Sequence, residues 1–358
     1  MDNGDGILSA CDTIGINNME TGEITYYHVD KISYDLLLLP TSHPWYMKAA
    51  FSDYAPSGMP DFDQKQTGTY QWVDHGGYWS HCGPVSVANS LWWFDSKYEP
   101  NNTPPPAISD GFPLVQSYNP GVWNDHDPRN VQPLVEHLAW LMDCDGRRTG
   151  RNINGTYVWD MEAGIAQYLS WSGVNPLGDV NGDGVVNQTD VDIVNNAMGS
   201  SPGDPSWTLA ADVYPATLTY PPQTDNVINE LELDLLMSNL GKTGMFYEHT
   251  TDVYPDFHYL EEEVLKSQDV IILLGFYYFN GTIWLRDGGH YVTVAGVNST
   301  TQEFLISDPI KDEFDAGRTP GYSPISHVYP HNSTVHNDVS LVSHDAYRVF
   351  NAGGYWIL

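Results

Sequence analysis

Apolar positions along this chain follow two rhythms, one with a period near 3.6 and one of short continuous runs. Val85, Ala88, Leu91 and Trp92 recur at i, i+3, i+6 and i+7, one face of a helix opening at Cys82-Gly83-Pro84. Proline suits that first turn, where its missing N–H costs nothing. Val131–Asp143 carries Leu134, Leu138, Leu141 and Met142 at the same spacing. Asp160–Ser172 carries Met161, Ile165, Tyr168 and Leu169 and stops at Gly173. Later in the chain Asp256 is placed to cap a helix bearing Phe257, Leu260 and Val264. Four β-type runs follow at hairpin-like spacing: Asp269–Phe279, Thr282–Arg286, His290–Val297 and Glu303–Asp308. Residues 1–56 hold short extended runs such as Glu23–Val29, and residues 99–130 form a Pro/Asn-rich loop. No chemistry attaches to either.

The rhythm breaks at Gly178. From Asp179 to Asp190, oxygen side chains stand at loop positions 1, 3, 5, 9 and 12, with Gly184 at position 6 where the chain must turn sharply. Calcium takes roughly six to eight oxygen ligands. Asp179, Asn181, Asp183, Asp190 and the Val185 carbonyl supply them, with Asn187 acting directly or through water. A plain polar turn would have to account for every one of these positions at once. A second, altered copy follows, with Asp212 at position 1 and Asp225, the Val227 carbonyl, Asn229 and Glu232 at positions 5, 7, 9 and 12. Tyr214 replaces the oxygen ligand at position 3, and an insertion spans roughly residues 215–224. Each loop leads into a short helix ending in glycine, Val191–Gly199 and Leu233–Gly241. This duplicated unit resembles a type I dockerin over about residues 177–241. The resemblance implies calcium as the cofactor and a cohesin-like protein as a partner.

A thiol at a helix mouth feels the positive end of the helix dipole, which favours thiolate. Free cysteine is also among the most buried residue types, so Cys82 alone reads equally as a structural thiol. Its prospective partners lie far along the chain. Gly289-His290-Tyr291-Val292 sets His290 at the start of a strand, and the next strand ends at Ser307-Asp308-Pro309. A hairpin of that size can put a carboxylate beside an imidazole, which can then take the proton of a thiol. A lone histidine there would read as a satisfied core residue; the glycine, strand and Asp-Pro context favours catalysis.

Charge narrows the partners. Lys and Arg number 14 against 46 Asp and Glu, a net charge of −32 that repels polyanions and argues against nucleic acid. No run approaches the ~18 apolar residues of a membrane span. Such acidity suits a soluble extracellular, calcium-loaded or salt-adapted protein, and the expected location is extracellular or cell-surface. The sequons starting at Asn101, Asn154, Asn187, Asn280, Asn298 and Asn332 are compatible with an exposed, secreted surface, though the pattern is common by chance. Of the three cysteines, Cys11 and Cys144 remain as a disulfide pair if Cys82 stays free.

Cys82-Gly83-Pro84 on a helix, then Gly289-His290-Tyr291-Val292, then Ser307-Asp308-Pro309, resembles the papain-like cysteine peptidases of the bacteriocin-processing (double-glycine peptidase-like) group. The resemblance covers roughly residues 57–176 and 242–320. It implies a papain-like α+β fold with a helical half and an antiparallel-sheet half. Cys82 is then the nucleophile, His290 the general base and acid, and Asp308 the orienting residue, with a peptide or protein substrate. The family also places a glutamine upstream of the cysteine as an oxyanion donor. Met59-Pro60-Asp61-Phe62-Asp63-Gln64 resembles the Pro-x-x-x-Gln entry of the family and assigns that role to Gln64, with Gln66 and Gln71 as alternatives. The expected organisation is an N-terminal segment (1–56), the helical half (57–176), the dockerin-like insertion (177–241) and the sheet half (242–358). Two other readings stay open: an interaction protein that cleaves nothing, and a Cys-His-Asp amidase or transferase.

Overall fold

The computed structural model describes residues 13–17, 24–28, 46–49, 59–64, 72–98, 112, 114–214, 224–245, 250–253, 257–266, 268–280, 282–298, 303–310, 340–341, 347–350 and 354–357. Three helices precede residue 177: α1 (Cys82–Tyr98), α2 (Val131–Leu141) and α3 (Val158–Ser172). α1 is buried from Gly83 to Ser96 on every side, which makes it the central helix. Some of its polar groups are paired: Ser96 Oγ donates to Trp92 O at 2.8 Å, and Ser86 O accepts from Thr293 Oγ1 at 3.1 Å. Between residues 177 and 241 lie α4 (Gln188–Ala197) and α5 (Glu230–Asn239). α6 (Phe257–Leu265) follows.

The strands are β1 (Thr13–Asn17), β2 (Ile24–His28), β3 (Tyr46–Met47), β4 (Thr250–Val253), β5 (Val270–Phe279), β6 (Trp284–Asn298), β7 (Glu303–Ser307), β8 (Ser340–Leu341), β9 (Tyr347–Phe350) and β10 (Gly354–Ile357). β1 and β2 pair as an antiparallel hairpin. The other eight form one antiparallel sheet along the path β3-β6-β5-β10-β4, with β7 on β6 and β9 on β5. Successive side chains of a strand face opposite ways. Ile271, Tyr291 and Ala295 therefore join the core of α1, α2 and α3, while Val270, Ile272, Val292 and Val294 pack with Leu260 and Val264 of α6. Cover on both faces explains why β5 reads as an unbroken apolar run. Residues 177–241 keep a separate apolar cluster of Val180, Val186, Val191, Val194, Ala197, Ala211, Ile228 and Leu236.

Two expectations shift. The runs 282–286 and 290–297 are one strand, β6, so His290 sits inside a strand rather than at its start. Gly288 and Gly289 pair with Phe276 and Gly275, and the ladder changes register between Phe276 and Tyr277. Glycine without a side chain lets the strand absorb this irregularity instead of ending. Cys144 is a free thiol, fully buried, with its Sγ set 3.6 Å from Ser80 O. Cys11 lies outside the described residues. No helix among the described residues is long and apolar enough to cross a membrane.

Candidate active site and calcium loops

α1 opens at Cys82, and Gly83 lets it dock. A Cβ on Gly83 would lie 2.6 Å from Thr156 Cγ2 and 3.2 Å from Met161 Cε. Cys82 itself is partly buried and packs at the edge of the helical core. Cys82 is among the groups that raise the His290 pKa, so the thiol and the imidazole are neighbours. On its other side His290 Nε2–H donates to Asp308 Oδ1 at 2.6 Å, and Ile310 N–H donates to the same oxygen at 3.0 Å. Burial pulls the His290 pKa down, but the charge and hydrogen bond of Asp308, joined by Cys82, outweigh it and push the value up to about 10. The imidazole therefore holds its proton at neutral pH, with Asp308 as its counter-charge.

A buried polar network fixes the third approach to this pair. Phe62 N–H donates to Asn89 Oδ1 at 3.0 Å, and Asn89 Nδ2 donates to Ser307 Oγ at 3.0 Å. Ser307 Oγ lies 2.7 Å from Pro60 O and 2.9 Å from Asp61 Oδ1. Gln64 N–H donates to Pro309 O at 2.7 Å. The segment from Pro60 to Gln64 is thus pinned to α1, two turns beyond Cys82, and to the end of β7 beside Asp308. Gln64 is buried, and its Oε1 has no hydrogen-bond partner. Gln66 and Gln71 lie outside the described residues.

A second Cys–His–Asp grouping, of His81, Cys144 and Asp145, is built from the residue before Cys82 and the turn after α2. His81 Nδ1 lies 3.9 Å from both Cys144 Sγ and Asp145 Oδ2, and Ser80 Oγ donates to Asp145 Oδ2 at 2.6 Å. The ring of His81 stacks on Trp72 at 5.3 Å. Burial drives the His81 pKa well down, helped by Arg147, and drives the Cys144 thiol well up, helped by Asp145. Both groups stay neutral, which suits a support and not a nucleophile. Neighbouring residues in sequence hid this grouping, because nothing in the pattern brings residues 80–81 to residues 144–145.

The first calcium loop has its expected frame. Asp179 Oδ1 accepts from Gly182 and Asp183 N–H, and Asp179 Oδ2 accepts from Gly184 N–H at 2.9 Å. Asp190 Oδ1 accepts from Val180 N–H at 2.8 Å. Burial lifts the Asp179 pKa to about 6; the Gly184 N–H opposes this, while Asp190 and Asp183 add to it. Carboxylates crowded this way fit a divalent cation. Asn181 Nδ2 and Asn187 Nδ2 both turn towards Asp183 Oδ2. Asn187 Oδ1 accepts from Thr189 N–H and closes a capping box with Asp190, which starts α4 three residues before the apolar pattern does. Position 9 thereby also acts as a helix cap. Asn229 repeats this at α5 with Glu232.

In the second loop Asp212, Asp225 and Glu232 bring carboxylate oxygens within 4.8 Å of one another. Asp212 Oδ1 and Glu232 Oε1 are buried without partners, as oxygens that await a cation would be. The Val227 carbonyl accepts from Asn229 Nδ2 at 3.2 Å. Asn226 holds position 6 with φ 62°, where the first loop uses Gly184 at φ 82°. Asparagine tolerates that left-handed region better than most residues.

Residues 177–241 match the family described as Dockerin type I domain. No curated protein and no solved structure matches the chain. Type I dockerin domains bind calcium through EF-hand-like loops. The two loops, their capped helices and the family match together identify residues 177–241 of this chain as a calcium-binding type I dockerin domain.

Proposed function

We propose that the chain is an extracellular papain-like cysteine peptidase carrying its dockerin domain as an insertion between a helical half and a sheet half. The observation that supports it most is the chain of contacts from Cys82 to His290 to Asp308, drawn from a helix mouth and two strands. The reacting form in this reading is the thiolate of Cys82 beside the protonated His290, and its sulfur attacks a peptide carbonyl. A carbon–sulfur bond forms and the carbonyl electrons move to oxygen, where the amide of Gln64 donates a hydrogen bond. As the carbon–nitrogen bond breaks, His290 gives its proton to the leaving amine. Water then attacks the thioester, passes a proton to His290 and releases the acid, which restores Cys82. Asp308 orients the imidazole and stabilises its charge throughout.

Peptide hydrolysis by the purified chain and its loss in Cys82→Ala test this reading; unchanged turnover in the variant ends it. A second reading has the dockerin match in its favour: the domain docks the chain onto a cohesin-like partner, and catalysis is absent. Binding to an immobilised cohesin together with inert Cys82 would favour that reading. An amidase or transferase would keep the same three residues and differ in substrate.

A further inference from the structure

The second calcium loop is interrupted in sequence, with residues 213–224 separating Asp212 at position 1 from Asp225 at position 5. A residue from outside the dockerin domain joins the two pieces. Arg148, in the connection between α2 and α3, has a fully buried side chain. Its Nη2 donates to Asp212 Oδ2 at 2.6 Å and to Asp212 O at 2.7 Å, and its Nε donates to Asn226 Oδ1 at 3.2 Å. Its Nη1 donates to Gln167 Oε1 at 2.8 Å, while Gln167 Nε2 donates to Leu209 O at 2.6 Å. The planar guanidinium suits such a divided task, since its donors are fixed in one fork.

The first loop shows what Arg148 replaces. There, Asp179 Oδ2 is held by Gly184 N–H at position 6 and by Asn175 Nδ2 at 2.8 Å. In the second loop Arg148 takes both parts, supporting the position-1 carboxylate and reaching position 6 through Asn226. It occupies one oxygen of Asp212 and leaves the other, with Glu232 Oε1, free for a cation. Its charge opposes calcium, but three carboxylates outnumber it. In the other direction Arg148 N–H donates to Asp143 Oδ1 at 2.8 Å, and Asp145 of the same turn holds Ser80, two residues before Cys82. That turn is closely packed: a Cβ on Gly146, at φ +67°, would lie 1.9 Å from Arg151 O.

We propose that Arg148 is a positioning residue for calcium in the second loop, and that calcium there immobilises the turn beneath Ser80 and Cys82. The link holds whether or not Cys82 is a nucleophile. Calorimetric calcium titration of the full chain tests it with Arg148→Gln and Arg148→Lys, using Glu232→Gln to mark the event that belongs to the second loop. Arg148→Gln is expected to weaken that event about 10–100-fold, the usual effect of losing a group that orients a ligand, and to spare the first loop. Arg148→Lys keeps the charge but cannot reach Asp212, Asn226 and Gln167 together, so it should weaken the event as well. Unchanged or tighter binding in Arg148→Gln, wild-type affinity in Arg148→Lys, or no event sensitive to Glu232→Gln overturns the proposal. Calcium should also slow hydrogen exchange at residues 80–82 and 143–149 in the wild type and not in Arg148→Gln; equal slowing in both overturns the link. If Arg148→Gln does not fold, Gln167→Ala removes an anchor of the same guanidinium, and an unchanged second event there is equally fatal.

Discussion

At the residue scale, the Cys82, His290 and Asp308 contacts make unequal demands. In the proposed peptidase His290 moves protons and Asp308 orients and charges it, so His290→Ala should lower kcat more than Asp308→Asn. Steady-state kinetics on one peptide compares them, and an equal or larger loss at Asp308 would point to another orienting group. Gln64→Ala should lower kcat by about 10²–10³ with little change in KM, as expected for a donor used only in the transition state. Gly83 makes a separate structural demand. Gly83→Ala forces a methyl against Thr156, whose Oγ1 is tied to Met142 O at 2.6 Å. It should cost about 1–3 kcal/mol of stability in denaturant melts. Cys82 and Asp308 stand out in the sequence because each is beside a proline with one local use, at a helix start and after a strand end. The glycines that single out His290 lie inside β6 and not before it. His81, Cys144 and Arg148 do not stand out, because their meaning comes from partners many residues away.

The elements were legible wherever one face was apolar and the other was not. α2, α3 and α6 begin within two residues of their predicted starts. α4 and α5 start three residues early because capping boxes, and not apolar spacing, begin them. β6 was split in two because glycine pairs normally punctuate, whereas here the ladder carries them through. One electrostatic consequence belongs to this hairpin. The pKa of His290 lies near 10 in the folded chain, above its unfolded value of about 6.5. Its imidazolium therefore contributes stability that is complete below about pH 6.5 and is lost as pH rises towards about 10. Melting temperatures of the wild type and Asp308→Asn should differ most at acid pH and converge at alkaline pH. A constant gap would mean that His290 and Asp308 are not coupled in this way.

The whole molecule joins a calcium domain to both parts of another core, since residues before 177 and after 241 share the cluster around α1. Calcium that binds only the folded dockerin domain stabilises it by mass action, about 2.7 kcal/mol at a hundredfold excess over Kd. Chelation should lower the melting temperature of the full chain, and calorimetry should show heat on calcium return; neither effect would mean that the loops are empty turns. The central claim concerns Cys82, and iodoacetamide labelling at pH 6, read by mass spectrometry of the Cys82 peptide, tests it most directly. The account predicts rapid labelling in the wild type and a rate about 10² lower in His290→Ala, because the histidine that holds the thiol proton is gone. Equal rates in the two proteins would contradict it.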